Sequence, residues 1–367
     1  MNLTNRYLPL RTITPVLNRL AASDLFTLEE LGLSVENRPV QALRFGRGSF
    51  KVLCWSQMHG NESTTTKALL NYFLALESDP KTKELFESLT ILAIPMLNPD
   101  GSERFTRENA NEVDLNRDAQ ALTQPESKIL SDAFTAFKPN LCLNLHGQRS
   151  IYGLTGTENP AVLSFLAPAA DTDRTITSAR LKAMALINRI TNKLHEELGK
   201  QIGRYDDSFN LNCVGDTFTA TGVPTILFEA GQYQLDYQRN NTAALIQCAY
   251  KILFDSLLVH DELPPADEVL SAYLELPENT VNYCDIVVKG GLPGSSAHNK
   301  DLQFQYKEVV EKDRLRFIPQ LLPKEETPRL YAHRYADGGE LSSLLKRLNK
   351  DHWSSFIDDY VQKKYSL

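Results

Sequence analysis

An excess of positive charge, long apolar runs and a paired cysteine framework are all missing from this chain of 367 residues. Lys and Arg number 39 against 46 Asp and Glu, a net charge of -7. A nucleic acid or an acidic membrane surface calls for a basic face, so neither is an expected partner. No stretch approaches the ~18 apolar residues of a spanning helix. The N-terminal "MNLTNRYLPLRTITPVLNRL" lacks the apolar core and small-residue cleavage site of a secretory signal, so a cytoplasmic location is expected. The five cysteines, Cys54, Cys142, Cys213, Cys248 and Cys284, are odd in number and widely spaced. They read as reduced, packed thiols and indicate neither a disulfide scaffold nor a CxxC metal site. No internal repeat or low-complexity tract occurs. What remains, 42% hydrophobic and 23% charged residues, suits a soluble globular chain with one large core and a smaller appended unit.

Strand and helix signals alternate from about residue 38 to 260. The runs "VQALRFG" (40–46) and "FKVLCWS" (50–56) flank "RG" and suggest a tight hairpin. "LTILAIPML" (89–97), "NLCLNLH" (140–146) and "PTILFEAG" (224–231) are near-continuous apolar runs of the kind buried on both faces of a sheet. Helical patterns lie between them at 62–77, at 125–137, where Pro125 suits a first turn, and at 178–199, which ends in glycine. This alternation predicts an α/β three-layer sandwich around a central mixed β-sheet. After His260 the composition changes. A Pro-Pro break leads to short β-like runs at 282–290, 302–310 and 314–322, with a Gly/Pro/Ser/Asn cluster at 290–299 and an amphipathic stretch at 339–365. The expected division is therefore a catalytic domain over 1–262 and a small C-terminal α+β appendage over 263–367.

Chemistry-bearing residues collect at strand ends. His59 and Glu62, in "HGNE", follow the strand at 50–56, and His146 ends the strand at 140–146. Ligand sites in open α/β sheets lie outside the carboxyl ends of strands, so three such side chains converge on one point. Two imidazoles and a carboxylate are a catalytic zinc set with a fourth position open to water. By itself HxxE is a weak signal, more often a surface His and a helix-starting Glu. Its company matters: "NPDGSERFTRENANEVDLNRD" (98–118) leaves a buried strand at a polar turn and places Arg104, Arg107, Asn116 and Arg117 close together.

In order, "LGLSVENRPVQAL", "HGNE", "NPDG" with a following Arg, "DLNR", a strand ending "LNLH" and a late "FEAG" resemble the zinc carboxypeptidase (M14-type metallocarboxypeptidase) superfamily over about residues 30–232. The resemblance implies a carboxypeptidase-like fold and one zinc per chain held by His59, Glu62 and His146. It implies Glu229 as general base and acid, Arg107 as the group that polarises the scissile carbonyl, and Asn116 with Arg117 as the grip on a terminal carboxylate. Each role has a physical warrant. A carboxylate at the end of an apolar strand is desolvated and so favours proton uptake. The planar fork of arginine fits a carboxylate bidentately and can meet an oxyanion with charge fixed in advance. Arg104 is expected to be only a solvated neighbour of the functional arginine.

The chain also departs from that family. Asp118 follows "DLNR" where an Asn is common, and Asn144 stands two before His146 in place of a more usual acidic residue, which leaves the partner of His146 unidentified. The tyrosine that closes over substrate has two candidates, Tyr205 first and Tyr152 second. At the base of the specificity pocket, Val214 points to an apolar substrate side chain and Asp216 to a basic one. The expected activity is hydrolysis of the C-terminal amide bond of small peptides, murein peptides included. The alternative is a zinc N-acyl-amino-acid amidohydrolase of the succinylglutamate desuccinylase and aspartoacylase type, whose "HGNE", "DLNR" and E-x-G also resemble this chain. A metal-free binding module ranks last, because the ligand and base set is complete.

Overall fold

A computed structural model describes residues 3–259, 262–289, 301–323 and 330–336. The chain divides into two compact units, one of residues 1–148 with 154–279 and one of residues 149–153 with 280–367. The division expected from sequence fell at 262/263; here it follows Asn279, with a five-residue excursion after Gln148. None of the helices among the described residues is long and apolar enough to cross a membrane.

The first unit is built on an eight-stranded mixed sheet. Its strands in chain order are β1 (Phe26–Leu33), β2 (Pro39–Phe45), β3 (Phe50–Ser56), β4 (Leu89–Ile94) and β5 (Leu141–Gly147), then, after the short β6 (Tyr152–Leu154), β7 (Leu163–Leu166), β8 (Ile202–Arg204) and β9 (Thr225–Ala230). They lie side by side as β1-β2-β4-β3-β5-β9-β7-β8. The central four, β4, β3, β5 and β9, are mutually parallel. The helices are α1 (Leu10–Ala21), α2 (Thr64–Leu76), α3 (Thr82–Ser88), α4 (Pro99–Arg104), α5 (Pro125–Phe137), α6 (Ser178–Leu198), α7 (Val214–Ala220), α8 (Asn240–Ser256) and α9 (Ala266–Leu274). Alternation along the strands sorts side chains into two cores. Val52 and Cys54 of β3 join residues of α1, α2, α6 and α8 in the larger core, while Leu53 and Trp55 join Leu130 of α5 and Phe218 of α7 in the smaller. Helices thus cover both faces of the sheet, which is the three-layer α/β sandwich expected. Helix α9, placed by sequence in the appendage, seats Val269 and Tyr273 in the larger core.

One expectation fails. No hairpin joins β2 to β3, because β4 lies between them, antiparallel to β2 and parallel to β3. The "RG" turn passes over the start of β4, where the N–H groups of Arg47 and Gly48 donate to the carbonyls of Phe86 and Leu89. A Cβ on Gly48 would lie 1.9 Å from the carbonyl carbon of Ser88, so this crossing requires glycine. The hairpin of this region is β1 with β2.

Beyond the short β10 (Asn279–Val281), the second unit holds β11 (Tyr283–Val288), β12 (Leu302–Glu311), β13 (Arg314–Leu321) and β14 (Tyr331–Ala336), ordered β13-β12-β11-β14. The β-like runs expected at 282–290, 302–310 and 314–322 are strands here. The 290–299 cluster and the helical pattern at 339–365 lie outside the described residues. In this unit the carboxylate of buried Asp285 accepts from the N–H of Tyr306 and the amide of Gln305. Ser150 accepts from Gln305 through its hydroxyl and meets His333 Nε2 through its carbonyl at 2.8 Å.

Candidate metal centre

The carboxyl ends of the four parallel strands supply the site. His59 follows β3, the NPDG segment follows β4, His146 ends β5 and Glu229 ends β9, in register with His146. Local chemistry fixes each loop. The N–H of Glu62 donates to the carbonyl of His59, so a single turn brings both side chains to one side. Gly60 serves close approach: a Cβ there would sit 2.0 Å from the carbonyl carbon of Gly101, where this turn lies against α4. Asn98 caps α4 by accepting from the N–H of Gly101 at 2.8 Å, and its own amide donates to the carbonyl of Met58 at 3.1 Å. Buried Asp100 accepts from Ser34, the N–H of Glu36 and Arg38, which ties the segment before β2 to the same loop.

His59, Glu62 and His146 form the one group of potential metal ligands found among the described residues. Glu62 spans the two rings, with Oε1 2.9 Å from His59 Nδ1 and Oε2 2.9 Å from His146 Nδ1. The two Nδ1 atoms are 3.2 Å apart. Ligands at tetrahedral zinc distances stand about 3.3 Å from one another. His59 Nε2 lies 3.0 Å from the carboxylate of Asp114. This assigns the proton to Nε2 and leaves a lone pair at Nδ1, which meets an N–H of Arg107 at 3.2 Å. Lone pairs converging beside a carboxylate are the donor set of a cation, and these residues fit zinc.

Electrostatics follow from burial and charge. Burial opposes ionisation of Glu62, yet His59 and His146 outweigh it and hold the carboxyl well below the usual range. Asp114 is likewise lowered: burial works against ionisation, but the hydrogen bond and charge of His59 prevail, with Arg107 contributing. For His59, burial is outweighed by Glu62 and Asp114, and the ring is raised. His146 is lowered, burial prevailing over Glu62. Glu229 is raised well above the ordinary carboxyl value, first by burial and then by the charge of Glu62. Its Oε2 is buried without a hydrogen-bond partner.

The other residues named from sequence are placed as follows. Arg107 bridges Asp114, at 3.0 Å, and Glu62, at 3.5 Å. Asn116 accepts from the N–H of Val214 through Oδ1; neighbouring Arg117 is exposed and donates to the carbonyl of Asn116 and to Cys213 Sγ. Arg104 pairs with Glu36 on the surface. Tyr205 follows β8, the last strand of the sheet, two strands from β9, and its N–H donates to Phe165. Tyr152 belongs to the second unit. Val214 packs in the smaller core, and the carboxyl of buried Asp216 meets the backbone of Asn210 and Ala169. Asp118 braces a turn by accepting from the N–H groups of Thr123 and Gln124. Sequence reading gave Asp114 no role, although "DLNR" contained it. Asn144 is buried with neither amide atom hydrogen-bonded, and His146 Nε2 is also without a partner.

Comparison with known proteins agrees with these observations. Residues 13–151 match the zinc carboxypeptidase family model. Probable carboxypeptidase 2 of Arthroderma benhamiae is 32% identical over 117 residues, 31% of this chain and 22% of that protein. Carboxypeptidase D of Mus musculus is 32% identical over 149 residues, 33% of this chain and 11% of that protein. The match thus spans about a fifth or less of these curated relatives. A metallo-carboxypeptidase from Burkholderia cenocepacia superposes with a TM-score of 0.56 at 18% identity, over 68% of this chain and 71% of that one. Carboxypeptidase A from Helicoverpa armigera gives 0.54 at 16%, over 69% and 74%. At such identities the likeness is one of fold. Together these findings support the M14 zinc carboxypeptidase superfamily for residues 13–151, with a likeness of fold over about two thirds of the chain.

Proposed function

We propose that this member of the zinc carboxypeptidase superfamily is a zinc metallocarboxypeptidase that hydrolyses the C-terminal amide bond of small peptides. The observation that carries the reading is the convergence of both Nδ1 atoms and the Glu62 carboxylate, with Glu229 in register with His146 on the adjacent strand. His59, Glu62 and His146 hold one zinc, which when bound supplies Lewis acidity, lowering the pKa of a water and polarising a carbonyl. Asp114 fixes the tautomer and orientation of His59.

Glu229 acts as general base and then general acid. Its desolvated carboxylate gains by taking a proton from the attacking water at the unpaired Oε2, and it returns that proton to the leaving amine. Arg107, already held by Asp114, presents fixed positive charge to the oxyanion. Asn116 Nδ2 and the exposed guanidinium of Arg117 receive the substrate carboxylate, and Tyr205 is the proposed closing residue. A cytoplasmic location belongs to this proposal, as does the absence of a nucleic-acid or membrane partner.

The test is product analysis with zinc-loaded protein on a mixed pool of free-acid peptides, amidated peptides and N-acyl amino acids. Release of C-terminal amino acids from free-acid peptides alone is expected. Release of acyl groups instead would establish the amidohydrolase alternative, which the comparisons do not favour.

A further inference from the structure

We infer that Arg239, with Lys67 behind it, is a positioning residue that clamps the strand ends carrying His146 and Glu229 to the helix that follows Glu62. The inference rests on the reading of the site given above and adds to it a part outside the ligand and base set.

Arg239 is 1% exposed, far from the usual place of a guanidinium. Its NH1 donates to the carbonyl of Ala230 at 2.9 Å and its NH2 to the carbonyl of Gln148 at 3.1 Å. Ala230 is the residue after Glu229, and Gln148 lies two after His146. The N–H of Gln148 donates to the same Ala230 carbonyl at 2.9 Å, so the fork closes over the last rung between β5 and β9. Beyond that rung the sheet ladder offers no further bond to hold the two functional side chains at a set separation. A rigid planar fork reaching two acceptors does so, and an ammonium would not reproduce it.

The residues beside Arg239 tie this fork to the third side of the site. Lys67 of α2 is 0% exposed. Its Nζ donates to the carbonyl of Gln238 at 2.6 Å and to Asn240 Oδ1 at 2.9 Å, the neighbours of Arg239 on either side, and to the carbonyl of Thr4 at 3.3 Å. Helix α2 starts two residues after Glu62, and the hydroxyl of Ser63 donates to the carbonyl of Arg6. One short segment, 238–240, therefore links the element behind Glu62 with the strand ends behind His146 and Glu229. Arg239 adopts a left-handed backbone, φ 57°, at the start of α8. That conformation is unfavourable for a residue with a long side chain, and where it persists the surroundings must hold it. Here it turns the guanidinium back under the strand ends.

Arg239→Met and Arg239→Lys test the clamp. In metal-free protein, amide exchange at Gln148 should accelerate at least about tenfold in Arg239→Met relative to global unfolding. This readout does not depend on catalysis. Co²⁺ titration should show affinity weakened by about tenfold, within the range typical of residues that orient ligands from behind. With a C-terminal peptide substrate, kcat should fall about tenfold or more with KM changed less than threefold, because the fork sets the geometry of reacting groups and does not touch substrate. Methylguanidine should restore part of the loss in Arg239→Met. Arg239→Lys keeps charge and should still lose kcat and Co²⁺ affinity. If Arg239→Met does not fold, Arg239→Lys decides by the same measurements. Wild-type exchange at Gln148 together with wild-type Co²⁺ affinity in a folded variant would overturn the clamp. Failure of the wild-type protein to bind Co²⁺ or to cleave peptides would instead overturn the proposed function, with the exchange result still reporting on the fork.

Discussion

Strands β5 and β9 present two faces that differ in kind. Toward the larger core they carry Leu141, Leu143, Leu145, Ile226, Phe228 and Ala230, all buried among aliphatic and aromatic partners. On the other face the same strands carry Cys142, Asn144, His146, Leu227 and Glu229, where alternation puts the site. The first face has no polar demand to satisfy. The second holds Asn144, His146 Nε2 and Glu229 Oε2 buried without hydrogen bonds. Each such group costs about 1–3 kcal/mol. One strand can sustain both faces because the apolar row anchors what the polar row destabilises, which is the usual tension between stability and activity. Mutations on the two faces should therefore separate cleanly into losses of chemistry and losses of stability.

The largest expected effect is on the polar face. Glu229→Gln keeps the shape but cannot accept a proton, so kcat should fall by about 10²- to 10⁴-fold. Metal content and KM should stay near wild type, since ground-state binding survives. Loss of bound zinc in this variant would make Glu229 a ligand and erase its assigned role.

Its neighbour should behave in the opposite way. Phe228 stacks edge-on to Phe165 at 5.0 Å and lies 5.4 Å from Tyr250. Phe228→Ala should lower unfolding free energy by about 3–5 kcal/mol. The kcat of the fraction that remains folded should change less than threefold. A drop in kcat comparable to that of Glu229→Gln would show that the two faces are not separable.

A smaller effect is expected one layer out from the ligands. Asp114→Asn removes the carboxylate charge beside His59 Nε2 and weakens the hold on Arg107. Zinc affinity measured against a chelator should weaken about 10- to 100-fold. Unchanged affinity would mean that Asp114 serves Arg107 alone.

What could be read from the sequence followed the strength of local patterns. The runs that became β4, β5 and β9 were legible because strands buried on both faces are continuously apolar. The convergence of His59, Glu62 and His146 was legible because several short patterns occurred in a fixed order. Helix α1 escaped although Ile13, Val16, Leu17 and Leu20 have helical spacing, because Pro15 interrupts the pattern. Strand β1 escaped because it is an edge strand, with glutamates at positions 29 and 30 and most of its surface at least partly exposed. The β2–β3 hairpin was misread because local turn signals say nothing of a third strand inserted between two sequence neighbours. Asp114 meets His59 and Arg239 meets Gln148 across 55 and 91 residues of chain, separations at which no spacing rule operates.

The smallest expected effect concerns Asp216, in the first turn of α7. Burial pushes its carboxyl up to about 6 from an ordinary 3.8, against opposing hydrogen bonds from the backbone of Asn210 and Ala169 and from Cys213, and the charge of Arg117. Because the folded state holds this proton more tightly than the unfolded chain, the stabilising contribution is complete below about pH 4 and is lost as pH rises through about 6. Fully expressed, a displacement of that size corresponds to ~3 kcal/mol. Partial solvent screening reduces it to on the order of 1 kcal/mol. Urea unfolding at pH 4, 5, 6 and 7 should therefore show stability falling across this window more steeply in the wild type than in Asp216→Asn, by that amount. The slope is the readout, since asparagine also loses one of the two backbone hydrogen bonds and so shifts the absolute stability at every pH. Equal slopes would show that Asp216 titrates in the folded protein as it does in the unfolded chain. Its carboxylate would then be a fixed negative charge near Arg117 at neutral pH.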